Sequence, residues 1–340
     1  MNLLERWVRE NFQVVEVDSV SHIYAGEGPP SWRRHQPELE RELDPAQPSD
    51  WWRMVCLMDL CSSLKPDMRV LDIGCGPGWP CIPLAAYVKE IVAVDASELA
   101  ISLISQNIDR RRVPNVKVQY ADAVCLPFDD MIFDAVIASD LMDVVPDPDK
   151  VASEMLRVLK PEGAMVSWVQ NFRWVRGERS EGWRHYISSK ADALAYTCRF
   201  ATLEPPQGVH LLFRVDPLDP LVKEMDLPAK PTFTTADSTI TVLRRFRPAL
   251  DDHVEFYRAW EFVPETAVDP FAAAGFTDLT VSPLCLEMCH AFAVELAKQG
   301  MPPENLEEFR ATASALLSAM QYADFHSSCE ISVKGKRPRA

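Results

Sequence analysis

The chain has no apolar run approaching the roughly 18 residues that would span a bilayer. Its first ten residues, MNLLERWVRE, are interrupted by Glu5, Arg6, Arg9 and Glu10. A secretory leader, with an unbroken apolar stretch of about 7–15 residues, is therefore not expected. Basic residues are in deficit: 35 Lys and Arg face 50 Asp and Glu, a formal net charge of −15. A protein that tracks phosphates needs a positive surface to release counterions, so nucleic acid is not an expected partner. Anionic membrane surfaces are disfavoured for the same reason. The nine cysteines form no CxxC pair. Cys285 and Cys289 stand at a helical spacing and lack the second pair that a zinc site needs, so no metal is expected. Scattered thiols in odd number point to a reducing, cytoplasmic setting in which they act as small core residues.

The hydrophobic share of 47% and charged share of 25% are those of an ordinary globular chain, and 340 residues make about two domains. Glycine is scarce. Only 12 are present, yet Gly74, Gly76 and Gly78 fall within five positions. The apolar run from Met68 to Ile73 precedes them and reads as a buried strand. A helix running to about Lys89 is expected to follow. Ile91–Val94 reads as the next strand, Ser97 as a helix cap, and Leu99, Ile101, Leu103, Ile104 and Ile108 as the apolar side of the capped helix. Strands at Val116–Tyr120, Phe133–Ser139 and Ala164–Val169 follow, with a helix over Asp149–Leu159. Such alternation of apolar strands with helices is the signature of a parallel sheet covered on both faces.

The pattern changes after residue 170. Residues 171–250 hold 12 basic and 9 acidic side chains, a positive balance over eighty residues of an acidic chain. Thr239–Leu243 and Val254–Tyr257 read as short β-like runs. Phe276–Val281 and Cys329–Val333 read as closing strands, with helices over Cys285–Gln299 and Glu304–Tyr322 between them. The expected organisation is a helix–loop–helix segment over 1–65, a core over 66–170, an inserted α+β segment over 171–270, and a completion of the sheet over 271–340.

The run Asp72-Ile-Gly74-Cys-Gly76-Pro-Gly78 follows a buried strand and opens a helix, which lets backbone approach a ligand closely. A dinucleotide fingerprint would place a small residue where Trp79 stands, and the Lys and Ser/Thr of a phosphate loop are missing, so a pyrophosphate ligand is not expected. Asp95 ends the second strand, where a carboxylate can take both hydroxyls of a ribose. Asp122 ends the third, where it can accept from an adenine amine. Taken singly, Asp95 is an ordinary helix cap, Asp122 a turn residue and the glycines a plain turn. Their joint spacing describes a pocket for a nucleoside carrying positive charge.

With these residues in place, the sequence resembles class I S-adenosylmethionine-dependent methyltransferases of the type 11, ubiquinone-biosynthesis-like group. VLDIGCGPGW resembles the family's first motif and VAVDAS its second. The stretch from ADAVCLPF to EGAMVSW resembles its third to fifth. The resemblance implies a Rossmann-like, doubly wound α/β fold. Its seven-stranded sheet would be mostly parallel, with the last strand antiparallel and an α+β cap inserted after the fifth strand. It implies S-adenosyl-L-methionine as cofactor. Asp72, Gly74, Gly76 and Gly78 would hold its methionine half, Asp95 and Ala96 the ribose, Asp122 and Ala123 the adenine, and Ser139 would line the pocket. The family often carries His after the fourth strand; Met142-Asp143 stand there instead.

Methyl transfer asks mainly for positioning, because the sulfonium is already activated. Arg173 and Arg176 are candidates for clamping an anionic group on a small-molecule substrate, with Tyr24, Trp174 and Tyr186 packing on it. The bland alternative is a solvated basic face over an aromatic mini-core. His22, Asp143 and His185 are the candidates for a catalytic base, although a lone His is more often structural or on the surface. A binding scaffold that keeps the pocket without turnover, or an RNA or protein methyltransferase, is the competing class. A homodimer is compatible with all of these readings.

Overall fold

The computed structural model describes residues 3–17, 48–171, 182–190, 193–201, 207–215, 220–221, 232–285 and 328–339. Helix α1 (Leu3–Asn11) and strand β1 (Gln13–Val17) come first. They are followed by α2 (Pro48–Ser63), β2 (Arg69–Ile73), α3 (Cys81–Leu84), β3 (Glu90–Asp95), α4 (Glu98–Arg111), β4 (Val116–Tyr120), β5 (Phe133–Ser139), α5 (Pro148–Val158) and β6 (Leu159–Gln170). The remaining elements are β7 (Gly182–Lys190), β8 (Ala193–Ala201), β9 (Gln207–Val215), β10 (Thr232–Thr234), α6 (Ala236–Phe246), β11 (Leu250–Trp260), α7 (Asp269–Ala274), β12 (Thr277–Cys285) and β13 (Ser328–Lys336). They divide into two compact units, residues 1–36 with 176–261 and residues 37–175 with 262–340.

The larger unit is a mixed α/β fold around a seven-stranded sheet ordered β12-β13-β6-β5-β2-β3-β4. β6, β5, β2, β3 and β4 pair in parallel, and β13 runs antiparallel to both β6 and β12. This is the seven-stranded, mostly parallel, Rossmann-like sheet that the sequence predicts. The central strands are apolar on both faces, as a doubly covered sheet requires: β2 buries Val70, Leu71 and Ile73, and β5 buries Ala135 to Ala138. One face carries Val70, Ile91, Ala93, Ala135, Ile137, Val166 and Trp168. They share a core with Met54, Leu57, Met58, Cys61 and Leu64 of α2.

α2 is fastened to that sheet by a polar knot. The Asp59 carboxylate, 1% exposed, accepts from Trp168 Nε1 (3.0 Å) on β6 and Ser332 Oγ (2.5 Å) on β13. Its other oxygen pairs with Lys334 Nζ at 2.7 Å. On the far side, Arg337 Nη1 donates to the carbonyls of Leu156, Arg157 and Leu159 at 2.7, 3.0 and 2.8 Å, closing the C-terminal end of α5. Orphan carbonyls at a helix C-terminus favour such a cation.

The smaller unit is a six-stranded sheet ordered β1-β11-β9-β8-β7-β10, antiparallel except for the β1–β11 pair. Leu4, Val8 and Phe12 of α1, Phe213 of β9, Leu243 and Phe246 of α6, and Phe256 of β11 form its core.

Three local expectations are corrected. Thr239–Leu243 is helical, inside α6, although its β-branched residues favour a strand. Thr235 caps that helix by accepting from Ser238 N (3.2 Å), and Thr239, Ile240, Leu243 and Phe246 then recur at helical spacing on the buried side. Residues 13–17 form a strand instead of part of a helix–loop–helix segment, since their partner is β11, about 240 positions away. The helix after the glycine loop is one α-turn, Cys81–Leu84, continued by a 3₁₀ turn over Ala85–Tyr87. The expected helices over 285–299 and 304–322 lie outside the described residues apart from Cys285, which ends β12.

Candidate functional site

The site is built at the carboxyl ends of β2, β3, β4 and β5, where a doubly wound sheet leaves its crevice. β2 delivers the chain into the glycine turn. That turn is pinned across the gap to β3: Gly74 N and Cys75 N both donate to the Val94 carbonyl, at 2.8 and 3.1 Å. Asp95 ends β3 and holds the turn from the other side, accepting from Gly76 N through Oδ2 and from Ser97 N through Oδ1, both at 2.9 Å. From α4 the buried Asn107 donates to the Pro77 carbonyl at 2.8 Å and fixes the back of the loop.

The three glycines differ in what they face. A Cβ on Gly78 would run into the Ile82 side chain, and one on Gly74 would lie 2.8 Å from Leu141 Cδ1, so both are closed in by packing. A Cβ on Gly76, at φ +51°, would meet nothing within 4 Å. The backbone at Gly76 is therefore the part of the turn that stands open to a ligand.

Two carboxylates border it in contrasting states. Asp95 is half-buried and tied by backbone N–H groups; burial raises its carboxyl while the donors of Gly76, Ser97 and Ala96 oppose the rise. Asp72 is fully buried, and neither of its oxygens meets a hydrogen-bond donor of normal geometry. Burial first and the charge of Asp95 second push it well above the usual carboxylate range, and the weak thiol of Cys81 offsets a small part. That thiol donates to the Gly78 carbonyl (3.5 Å), which limits what it gives Asp72.

Ala96 follows Asp95 and is half-buried. Asp122 is exposed in the turn after β4, where its Oδ1 accepts from Val124 N (3.0 Å) and its carbonyl from Cys125 N (3.0 Å). Ala123 is buried beside it. Ser139 ends β5, half-buried. These positions thus lie on adjacent strand ends. Asp143 is half-buried in the turn after β5. His185 and Tyr186 lie on β7 of the smaller unit, at register with Cys198 and Thr197. His22, Tyr24, Arg173, Trp174 and Arg176 lie outside the described residues.

Sequence reasoning missed Asn107, which an amphipathic reading of α4 hides among apolar neighbours, and Asp140. Asp140 adopts φ +51° directly after β5, and its N–H donates to the Trp168 carbonyl at 3.1 Å. Its carboxyl is pushed up to about 7, by burial first and then by the charge of Asp143. Its surface is nonetheless exposed, so it is crowded by protein while still open to water. The fold favours its protonated form. Its contribution to stability is therefore intact below about pH 4 and is lost as the pH rises through about 7. Asp140→Asn should melt above the wild type by a margin that widens between those values. A margin that stays constant across the titration would show that Asp140 does not titrate this way.

The comparisons follow from this geometry. Residues 71–167 match the family model described as a methyltransferase domain. That segment is similar to a class I S-adenosylmethionine-dependent methyltransferase domain. Over 124 residues this domain is 37% identical to a demethylmenaquinone methyltransferase of Renibacterium salmoninarum, covering 36% of this chain and 49% of that protein. Over 110 residues it is 34% identical to the uncharacterized methyltransferase YcgJ of Bacillus subtilis, covering 32% and 44%. The chain spans about half the length of the curated relatives it matches. In fold, the chain is similar to the CcbJ methyltransferase of Streptomyces caelestis, with a TM-score of 0.50 and 13% identity over 95% of this chain and 97% of that one.

The methyltransferase domain fits its cofactor on structural grounds. S-adenosylmethionine is a nucleoside bearing an ammonium and a sulfonium. The orphaned Asp72 carboxyl, the open backbone at Gly76 and the half-buried Asp95 suit a cation, a close approach and a pair of hydroxyls respectively. Among the described residues no group of three His, Cys, Asp or Glu side chains could hold a metal, and no helix is long and apolar enough to cross a membrane.

Proposed function

We propose that the chain is an enzyme that moves a methyl group from S-adenosylmethionine to a small-molecule acceptor by in-line displacement. The observation that carries this reading is the open backbone at Gly76, held by the Asp95 carboxylate in the glycine turn that follows the buried Asp72. When bound, the cofactor supplies a methyl group already activated as a sulfonium. The protein's own work is to orient it. Asp72 with Gly74, Gly76 and Gly78 would hold the amino-acid end. Asp95 takes backbone donors from Gly76, Ser97 and Ala96 on about four lone-pair sites, so it keeps some capacity for ribose hydroxyls. Ala96, Asp122, Ala123 and Ser139 would complete the wall.

The acceptor is an oxygen, nitrogen or sulfur nucleophile that carries a carboxylate or another anion. The basic balance of residues 171–250 supports this, with Arg173 and Arg176 as the holding groups and Tyr24, Trp174 and Tyr186 packing beside them. His22, Asp143 and His185 are the candidates for accepting a proton from it. Among the described residues, Cys56, Cys61, Cys75, Cys81 and Cys125 are not joined in disulfides, which supports a reducing, cytoplasmic setting.

Calorimetric titration with S-adenosylhomocysteine tests the reading. The wild type should bind at about micromolar level, worth about 8 kcal/mol. Asp95→Ala should weaken that by about 10- to 100-fold through the lost ribose contacts. A wild type that binds neither S-adenosylhomocysteine nor S-adenosylmethionine would overturn the proposal. For the acceptor, Arg173→Ala and Arg176→Ala should each weaken substrate about 10- to 150-fold if a bidentate contact is lost, and leave cofactor affinity unchanged. Unchanged substrate affinity in both variants would end the anionic-acceptor idea.

A further inference from the structure

Asp72 presents a physical problem that the fold itself does not solve. Strand geometry puts it on the same face of β2 as Val70, two positions away, and that face belongs to the apolar core. Its cross-strand neighbours are Ala93 on β3 and Ile137 on β5, both buried and apolar. The titratable groups that act on it are Asp95 from the end of β3, Cys75 in the glycine turn and Cys81 at the start of α3. Among the described residues it makes no ion pair. A carboxylate in that setting meets, among the described residues, only the weak thiol of Cys81, with no donor of normal geometry, no cation, and a second carboxylate close by.

The two acids are not equivalent. Asp95 accepts a backbone N–H on each oxygen, and such bonds favour the charged form. Asp72 has none. If one proton is shared between this pair, Asp72 is its holder and Asp95 carries the charge.

We propose that Asp72 is a neutral acid in the free protein and gives its proton to solvent when the amino-acid end of the cofactor arrives, so that the site exchanges a proton for a cation. This rests on the cofactor assignment above. The bond broken is the carboxyl O–H, the proton goes to water or buffer, and the resulting carboxylate is held by the ligand's ammonium and sulfonium. The strong upward push on Asp72 from burial and from Asp95 agrees with it. The consequence is charge selectivity. Asp72 favours the cationic cofactor over the neutral thioether product, and it can return to the neutral acid once the product has left.

Proton release is read directly by calorimetry in two buffers of different ionisation enthalpy, such as phosphate and Tris. For the wild type binding S-adenosylmethionine, at a pH above the ordinary carboxylate range and below the raised range of the buried acid, release should approach about one proton. S-adenosylhomocysteine, which has the ammonium without the sulfonium, should release less, and adenosine, which has neither, none. Asp72→Asn should abolish the release and weaken S-adenosylmethionine about 10- to 100-fold, more than it weakens adenosine. Asp95→Asn removes the repelling charge and should move the release to lower pH, which keeps a second arm should the Asp72 variant fold poorly. Binding with no proton exchange in the wild type would overturn the inference while leaving the cofactor assignment standing. So would a release that persists in Asp72→Asn, or one as large with adenosine. Absence of any binding would remove the assignment itself.

Discussion

Replacing Asp59 with alanine is expected to destabilise the seven-stranded unit by about 3 kcal/mol or more, a large share of the roughly 5–15 kcal/mol that holds a typical domain together. The carboxylate is buried, and it is where α2, β6 and β13 meet. Three donors lose their acceptor at once, and they do not lose equally. Lys334 is 23% exposed and also reaches Ser62 Oγ at 2.9 Å, so its ammonium can turn to water. Trp168 Nε1 and the Ser332 hydroxyl are enclosed, and each unsatisfied buried donor costs about 1–3 kcal/mol. The cavity left by the side chain adds to this. Lys334→Met takes the cation from a buried carboxylate that keeps its two enclosed hydrogen bonds, so it should cost less than Asp59→Ala, about 1–3 kcal/mol. Denaturant unfolding of the two variants against the wild type measures the difference. Equal losses in both would mean that the ion pair, and not the enclosed hydrogen bonds, fastens the helix.

Asp59 also marks where the sequence was legible and where it was not. A single carboxylate inside the apolar run MVCLMDLC is a visible anomaly, because a charge is not buried without partners. What the sequence could not show is that those partners stand more than 100 and 270 positions away on two other strands. The strands β2 to β5 of the larger sheet were readable almost to the residue, since β2, β3 and β5 are short, largely apolar and bounded by turns, whereas β6, β12 and β13 run three to five residues beyond the expected bounds. Ser97 was readable as a cap, and its side chain accepts from Ala100 N at 3.2 Å.

The smaller unit was read less well for the same physical reason in reverse. β1 has meaning only against β11, and its exposed Val15 and half-buried Val14 carry no strong alternation. α6 is rich in Thr, Ile and Val, so local preference pointed to a strand while the cap and the buried stripe favoured a helix. At the site, the acids were found because each lies at or just beyond the carboxyl end of a strand. The difference between a glycine that packs and a glycine that faces a ligand was not in the sequence at all.

That difference gives the largest expected effect on binding. Gly76→Val should leave the fold nearly intact and remove cofactor binding, whereas Gly78→Val should damage the fold. At Gly76 an added Cβ would meet nothing within 4 Å beyond its chain neighbours, so the main penalty is the left-handed backbone, about 1–2 kcal/mol. The same side chain occupies the position a ligand must take against the backbone, and it strains the turn whose N–H is held by Asp95. Affinity for S-adenosylhomocysteine should fall by about 100-fold or more, or at least 2.7 kcal/mol.

At Gly78 the backbone lies at φ +121°, a region essentially reserved for glycine, and Ile82 already fills the direction of the new side chain. Backbone strain of about 1–3 kcal/mol adds to overpacking of about 1–3 kcal/mol. The melting temperature of Gly78→Val should therefore drop well below that of Gly76→Val. Measured together, thermal midpoints and titrations should separate the two glycines: one variant folded and unable to bind, the other poorly folded. If Gly76→Val binds the ligand with wild-type affinity, the open face of the turn is not where the cofactor lies, and the site assembled around Asp72 and Asp95 loses its central contact.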